Sequence, residues 1–158
     1  MCQQIEEAIG LAVTLNSVEA HDSVTAMVEA YAAQAVTLAR KFKSALDFSE
    51  NSVMELETIL EALAQQTPEH SADSVSEACK TWGSYLGEVV RRHFGGEWTI
   101  ETYPGKQFAT LTLNVNGSKL FPTMKVHRRL TEGDAENVWL FYKMVKARLQ
   151  SSASTRIH

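Results

Sequence analysis

The sequence predicts an α+β fold: an N-terminal layer of three main helices packed on a three-stranded antiparallel meander, followed by a C-terminal helix. Up to about residue 94, apolar residues recur at three- and four-residue steps, which is the spacing of amphipathic helices. From Trp98 onward the pattern changes to alternation, and Asn116-Gly117 is a preferred pair for a two-residue hairpin turn. Helices followed by a meander and a further helix indicate that helices cover one face of a small sheet.

Four helical segments precede the predicted sheet. Ser52 and Glu55 match a capping box at the start of one of them, in which each side chain accepts a hydrogen bond from the other residue's backbone N–H. Ser71 or Asp73 can begin the last of the four as an N-cap. The predicted segments are one short helix and three main helices, at residues 3 to 15, 23 to 45, 52 to 66 and about 71 to 94.

The third main helix contains a pair of glycines. Gly83 and Gly87 lie one turn apart inside it, although an interior glycine costs a helix about 1 kcal/mol relative to alanine. A close approach by the sheet or by another helix compensates for this cost. We therefore expect an intramolecular packing face here, with a contact to a partner as the alternative. Gly95-Gly96 then ends the helix.

Three strands are predicted after that helix, at residues 98 to 103, 107 to 115 and 118 to about 130. The third of them contains Pro122, which predicts an edge position or a bulge because proline cannot donate to a sheet. A last helix follows Asp134. We expect one domain over residues 1 to 150 and a disordered tail over residues 151 to 158.

Charge is divided unevenly along the chain. Residues 1 to 78 hold 3 Lys/Arg and 13 Asp/Glu, a net charge of -10, whereas residues 79 to 158 hold 12 and 6, a net charge of +6. In one interpretation the acidic helices pack beside the basic half and the two fields partly cancel. In the other, each half presents its own face to a partner. We favour the first interpretation.

The sequence contains no recognisable segment for membrane insertion or secretion. No apolar run approaches the roughly 20 residues that span a bilayer. The first seven residues are acidic, where a secretory signal would be basic. Cys2 and Cys79 make no disulfide framework and no zinc set. The sequence therefore predicts a cytoplasmic protein with no membrane partner.

Motifs for catalysis and for cofactors are largely missing from the sequence. The five histidines are scattered, so no metal site is predicted, and no phosphate-binding glycine loop or nucleophile elbow occurs. The best acid–base candidates are Glu88, His93 and Glu97, near the end of the third main helix. We predict no cofactor and no catalytic residues, and the question of enzymatic activity stays open with the balance against it.

A second group of candidates is basic. In an alternating strand, Lys125, His127 and Arg129 share a face, and basic strands with neighbouring aromatic residues can bind nucleic acid. The sequence pI of about 5.7 argues against a dedicated nucleic-acid binder. The two groups, together with the neighbouring Arg91 and Arg92, form a candidate interaction surface. Its members are Glu88, Arg91, Arg92, His93, Glu97, Lys125, His127 and Arg129.

Several short segments resemble an uncharacterised family of small bacterial α+β proteins over roughly residues 24 to 149. The most specific of these segments is the Gly-x-Tyr-Leu-Gly-Glu string that begins at Gly83. The resemblance implies the fold and a bacterial source, and it implies no particular activity. The segments that carry it are Leu46-Asp-Phe-Ser-Glu-Asn-Ser-Val53, Gly83-Ser-Tyr-Leu-Gly-Glu-Val89, Gly95-Gly-Glu-Trp98, Leu120-Phe-Pro122 and Val126-His-Arg-Arg-Leu130.

These observations predict a non-enzymatic protein-binding module of the bacterial cytosol. A concrete version is an immunity-type or regulatory partner whose acidic helices mask the surface of a basic toxin or effector. The first alternative is a small-molecule binder or enzyme with a pocket between the third main helix and the sheet, near Glu88, His93, Glu97 and Lys125. The second alternative is nucleic-acid binding through the basic strand. The oligomeric state stays open.

Overall fold

The predicted order of helices and strands is present, with one additional helix before the last. In the computed structural model the backbone is described for residues 17 to 157 and the side chains for residues 23 to 151. Short 3-10 turns at Arg40–Phe42, Thr67–Glu69 and Asp134–Glu136 join some of the elements. The helices and strands are α1 (Ser17–Ala39), α2 (Ser52–Gln66), α3 (Ala72–Phe94), β1 (Glu97–Thr102), β2 (Ala109–Val115), β3 (Ser118–Leu120), α4 (Pro122–Glu132) and α5 (Val138–Ile157).

The sheet is an antiparallel meander of order β1-β2-β3, which confirms the predicted α+β class. Trp98 pairs with Leu113 and Ile100 pairs with Leu111, so these apolar side chains share one face of the sheet. Asn116 and Gly117 both have positive φ, as a type I′ turn requires, and they join β2 to β3. The predicted hairpin is therefore present.

The third strand is much shorter than predicted. It ends at Leu120, and Pro122 opens helix α4 instead of lying in an edge strand. Proline suits the first turn of a helix because its missing N–H would have no intrahelical acceptor there. The helix buries Val126 and Leu130, four residues apart on one face. The prediction of a strand over residues 118 to 130 is wrong beyond residue 120.

The start of α2 is fixed by a contact other than the predicted capping box. Ser52 is already inside the helix, and its backbone N–H donates to the hydroxyl of Ser49 at 3.2 Å. Its own hydroxyl donates to the carbonyl oxygen of Ser49 at 2.6 Å. Glu55 instead accepts a hydrogen bond from the Ser44 hydroxyl. The capping-box prediction is wrong because the helix begins about one residue too early for Ser52 to be its cap.

The ends of the chain were predicted less completely. The short helix predicted over residues 3 to 15 lies outside the described residues. Helix α1 begins at Ser17, before the predicted start near residue 23, and gives way to a 3-10 turn at Arg40. Helix α5 continues to Ile157 and so includes most of the tail for which the sequence predicted disorder.

The N-cap of α3 is as predicted, since the Ser71 hydroxyl accepts a hydrogen bond from the backbone N–H of Ser74.

The glycine pair on α3 packs inside the molecule, as predicted. A Cβ on Gly83 would lie 2.5 Å from the Cα of Thr123, at the start of α4. A Cβ on Gly87 would lie 2.1 Å from the indole of Trp98 and 3.0 Å from Pro122. Only glycine lets α4 and the sheet come this close to α3, so the gain in packing outweighs the loss of helix propensity.

Ion pairs between the two halves of the chain support the interpretation in which the acidic and basic fields partly cancel. Glu50 binds Lys146 of α5 at 3.0 Å, and Glu57 binds Arg129 of α4 at 2.8 Å. Glu61 also pairs with Arg129. Glu57 and Glu61 on α2 thus face the basic helix α4, and Glu50, just before α2, faces α5.

Candidate functional site

The best predicted acid–base candidate, Glu88, is fully buried and satisfied. Its carboxylate accepts hydrogen bonds from Arg91 Nε at 2.5 Å and from the indole N–H of Trp98 at 3.0 Å. Arg92 approaches the same carboxylate at 3.8 Å. Burial raises the pKa of this group, but the hydrogen bonds from Arg91 and Trp98 outweigh burial and hold the pKa below 4.5. Glu88 therefore stays ionised and ties α3 to β1, and it is inaccessible to a partner.

The other candidate residues near the end of α3 have different neighbours from those of Glu88. His93 lies within hydrogen-bonding distance of the Phe48 carbonyl oxygen, with Nε2 at 3.0 Å. The guanidinium of Arg92 lies 3.5 Å from the centre of the Phe48 ring. Glu97 is exposed at the first position of β1. Among the described residues, no hydrogen bond or ion pair joins Glu88, His93 and Glu97 to one another.

Lys125, His127 and Arg129 lie on helix α4 and not on a strand, which corrects the prediction that all three share one face: His127 leaves the face on which Lys125 and Arg129, four residues apart, remain. Residues two apart on a helix differ by about 200° in direction. Lys125 accordingly donates to Glu136 at 2.5 Å, His127 is exposed, and Arg129 is buried. The basic strand on which the nucleic-acid hypothesis depended is therefore absent.

Arg129, which the sequence analysis included in the candidate interaction surface, is buried at the centre of a polar cluster. Its guanidinium donates Nε and a terminal nitrogen to Glu57, at 2.8 to 3.0 Å, and the terminal nitrogen also donates to Glu61. The hydrogen bonds with Glu57, opposed by burial, raise the pKa of Arg129 above its ordinary value. Glu57 also accepts the backbone N–H of Val138 at 3.0 Å, at the first turn of α5. The cluster thus positions α5 against α2 and α4.

The segment between the 3-10 turn and α2, residues 43 to 51, is held in an uncommon conformation. Phe48 has a φ of +63°, which a bulky residue rarely adopts. Its N–H donates to the Tyr85 hydroxyl at 2.9 Å, and its ring lies against the ring of Tyr85 with centres 4.7 Å apart. Arg92 and His93 hold it from the same helix. Backbone strain of this kind persists only where surrounding contacts impose it, and it is frequent near functional sites.

Glu50, at the end of this segment, meets helix α5. The hydroxyl of Tyr142 donates to one carboxylate oxygen at 2.5 Å, and Lys146 donates to the other at 3.1 Å. The hydrogen bond from Tyr142 is the main cause that lowers the pKa of Glu50, with smaller contributions from Lys146 and the nearby His93. Burial and the same carboxylate raise the pKa of the Tyr142 phenol. Tyr142 thus stays protonated and is not a base.

A cleft of about 340 Å³ opens beside this contact, between the start of α2 and the outer side of α5. The Trp139 indole is stacked on the ring of Tyr142 with centres 6.1 Å apart, and Lys143 lies 5.5 Å from the centre of the indole. The lining residues are Glu50, Asn51, Trp139, Tyr142, Lys143, Lys146, Ala147 and Gln150.

The outer face of α5 carries exposed apolar side chains next to this cleft. Leu140 is 57% exposed and Met144 is 62% exposed, four residues apart on one stripe. The helix turns its other side, with Tyr142 and Leu149, into the core. Residues 138 to 157 contain four Lys/Arg and no Asp or Glu. We call this surface, composed of Leu140, Lys143, Met144, Ala147 and Arg148, the outer α5 face.

Sequence reasoning missed the outer α5 face, although the sequence contained a signal for it. Val138, Tyr142, Val145 and Leu149 already supply a complete inward stripe at helical spacing. Leu140 follows Val138 by two residues, about 200° around the helix, so it had to point away from the core. A second apolar stripe on a helix is a reason to look for a partner.

The described residues include neither a metal-binding group nor a membrane-spanning helix, and the cysteine among them is buried. Among the side chains of residues 23 to 151, no three His, Cys, Asp or Glu are grouped so as to hold a metal ion. In the same part of the chain no helix is long and apolar enough to cross a membrane. Cys79 is a buried thiol whose pKa burial raises to about 12, so it is a poor nucleophile.

Comparisons with known proteins give no independent guide to function. No protein-family model matches the chain, and no curated protein or solved structure matches it either. The resemblance to a bacterial family therefore stays a prediction, and function has to be argued from the surface of the molecule.

Proposed function

We propose that this protein is a non-enzymatic binding module that recognises an acidic segment of another protein through the outer α5 face. The observation that carries the proposal is the exposed pair Leu140 and Met144 on a helix that has four basic residues and no acidic one. Exposed apolar residues that line up on a stripe with charges around them are typical of interaction sites.

The residue types on and beside this face suit a binding interface. Met, Trp and Arg are enriched in interfaces, and Met144, Trp139 and Arg148 lie within three turns of one helix. Met adapts to irregular partner surfaces because its side chain is flexible. Lys143 and Arg148 form no ion pair with a described residue, so their charges are available to an acidic partner. Such charges accelerate association and select the partner.

This proposal reverses the charge expected on the partner's surface, which was basic in the hypothesis drawn from the sequence and is acidic here. An immunity-type or regulatory role remains part of the proposal, as do a bacterial source and a cytoplasmic location. However, Glu50, Glu57 and Glu61 are engaged with Lys146 and Arg129. The effector that the module would neutralise should therefore present acidic side chains around an apolar stripe, where the sequence suggested a basic surface.

The proposal is tested by site-specific crosslinking followed by measurement with the purified partner. A photo-crosslinking amino acid at position 144 should capture a partner in cells, whereas the same group at the exposed Gln34 of α1 should not. For the captured protein, Leu140→Asp and Met144→Asp should each weaken binding at least tenfold, about 1.4 kcal/mol. Gln34→Asp adds the same charge on another helix and should leave the Kd unchanged.

Salt dependence separates this role from the alternatives. Lys143→Glu with Arg148→Glu should slow association, and the effect should shrink from 50 mM to 500 mM salt because screening shortens the reach of charges. Binding of the wild-type protein to nucleic acid or to anionic vesicles, with no captured protein, would contradict the proposal. Partner binding that is insensitive to all four substitutions would contradict it as well.

A further inference from the structure

The cleft beside the outer α5 face has the size and the groups of a small-ligand site. Its volume of about 340 Å³ falls within the range of small-molecule pockets, and its walls come from two elements. One wall is the end of the 43 to 51 segment with the start of α2, and the other is α5. The residues that matter for recognition are Glu50, Asn51, Trp139, Lys143, Lys146 and Gln150.

The charge that this cleft offers to a ligand is positive. Among the described residues that line the cleft, Glu50 is the one carboxylate, and both of its oxygens are occupied, by the Tyr142 hydroxyl at 2.5 Å and by Lys146 at 3.0 to 3.1 Å. Lys143 has no ion pair with any residue whose side chain is described, and its ammonium lies 5.5 Å from the centre of the indole. An anion placed beside Lys143 would gain a charge-assisted hydrogen bond without displacing an existing one.

An aromatic surface lies next to this ammonium. The Trp139 indole lines the cleft and is supported from within by the nearly parallel ring of Tyr142, at an interplanar angle of 8°. A planar ring that stacks against an indole gains both area burial and favourable ring geometry. The side-chain amides of Asn51 and Gln150 form no hydrogen bond with another described residue, and each offers donors to an anionic group.

The wall opposite α5 is fixed before any ligand arrives. Phe48, two residues before Glu50, keeps its positive φ because Tyr85, Arg92 and His93 all contact it. Ser52, one residue after Asn51, is fixed in turn by the same Tyr85 hydroxyl, at 2.6 Å. A wall held on both sides of Glu50 and Asn51 loses little freedom on binding, and preorganisation of this kind favours affinity.

We propose that the cleft binds a planar aromatic ring that carries an anionic group, a carboxylate or a phosphate. The ring lies against Trp139, and the anion binds Lys143 with the amides of Asn51 and Gln150. Such a ligand is either a free small molecule or an aromatic residue at the C-terminus of a protein, whose own carboxylate supplies the charge. The inference is independent of the protein-binding role, because a free aromatic acid tests it without a partner.

The test is a titration of the isotope-labelled full-length protein, followed by NMR, with 3-phenylpropionate and phenyl phosphate. Both should shift the indole N–H of Trp139 and the amides around Asn51 and Lys143, while the resonances of Trp82 and Trp98 stay in place. The neutral amide 3-phenylpropanamide should bind more weakly, as should the non-aromatic hexanoate. A peptide that ends in phenylalanine, compared with its C-terminal amide, separates a protein end from a free ligand as the source.

Variants assign the binding to the proposed groups. Lys143→Gln should raise the Kd roughly fivefold, the upper range for one exposed charge contact. Lys106→Gln removes the same charge from the exposed turn after β1 and should leave the Kd unchanged. Both substitutions lie on exposed side chains, so the fold should survive them. Equal affinity for the acid and its amide, equal Kd values for the two lysine variants, or binding by neither the acids nor the peptide would overturn the proposal.

Discussion

At the scale of single residues, the chemistry-bearing side chains of this protein are used mostly to join elements. Glu88 is the clearest example, because its carboxylate is fully buried between two cationic neighbours and an indole donor and is therefore inaccessible to a substrate. Its position near His93 and Glu97, at the end of the third main helix, made it one of the best acid–base candidates in the sequence. What the sequence could not reveal is that Trp98, ten residues later, folds back onto it.

Glu88→Gln should therefore affect stability in a pH-dependent manner. The folded-state pKa of Glu88 is held below 4.5, so its contribution is present above that pH and is lost as the pH falls through the folded-state pKa. At pH 7 the substitution should lower the free energy of unfolding by about 1 to 3 kcal/mol, the range for a charged hydrogen bond left incomplete. The difference from wild type should narrow below pH 4.

Urea denaturation of both proteins at pH 7, 5 and 3.5 measures this difference. Glu97→Gln, on an exposed carboxylate at the start of β1, is the matched control and should change stability by no more than about 0.5 kcal/mol at each pH. A Glu88→Gln difference that is the same at all three pH values would mean that the charge of Glu88 is not what stabilises the contact.

At the scale of elements, the sequence was most informative where one local rule decided the structure. The Asn116-Gly117 turn and the Ser71 cap are both short-range contacts, and both were predicted. Helix α4 was missed because Pro122 is compatible with an edge strand and with a helix start. In the folded protein α4 lies against α3 at Thr123 and Gly83, a contact between residues 40 apart that a local pattern does not show. The missed Glu50–Tyr142 contact spans 92 residues in the same way.

Gly87→Ala tests whether the α3 glycines are a packing face. Alanine would gain about 1 kcal/mol of helix propensity, but its Cβ would lie 2.1 Å from the Trp98 indole. The indole is held by Glu88 and is fully buried, so it cannot move aside without losing its hydrogen bond. We expect net destabilisation of about 1 to 3 kcal/mol, typical of overpacking in a filled core.

Thermal and urea denaturation show directly whether Gly87→Ala stabilises or destabilises the protein. Gln34→Ala, at an exposed position of α1, is the control for helix propensity without packing and should be neutral or slightly stabilising. If Gly87→Ala raised the melting temperature in the same way as the control, the glycine would be a propensity defect and the packing explanation would be wrong.

At the scale of the whole molecule, the opposite charges of the two halves are joined across α2, α4 and α5. Arg129 with Glu57 and Glu61, and Lys146 with Glu50, connect residues from opposite halves of the sequence. One contiguous set of buried apolar side chains runs from Val24 in α1 to Leu149 in α5. Such coupling predicts that the described elements unfold together.

Cys79 offers a test of this cooperativity. It is buried on α3 within the common core, and burial raises the pKa of its thiol to about 12. In a Cys2→Ser variant at pH 8, a disulfide reagent should hardly react with the folded protein, since the thiolate is both scarce and covered. In increasing urea, the extent of labelling in a short pulse should rise along the same curve as the loss of helical circular dichroism. Labelling at much lower urea than the loss of helix would mean that α3 separates from the core before the rest unfolds, and the molecule would then consist of more than one cooperative unit.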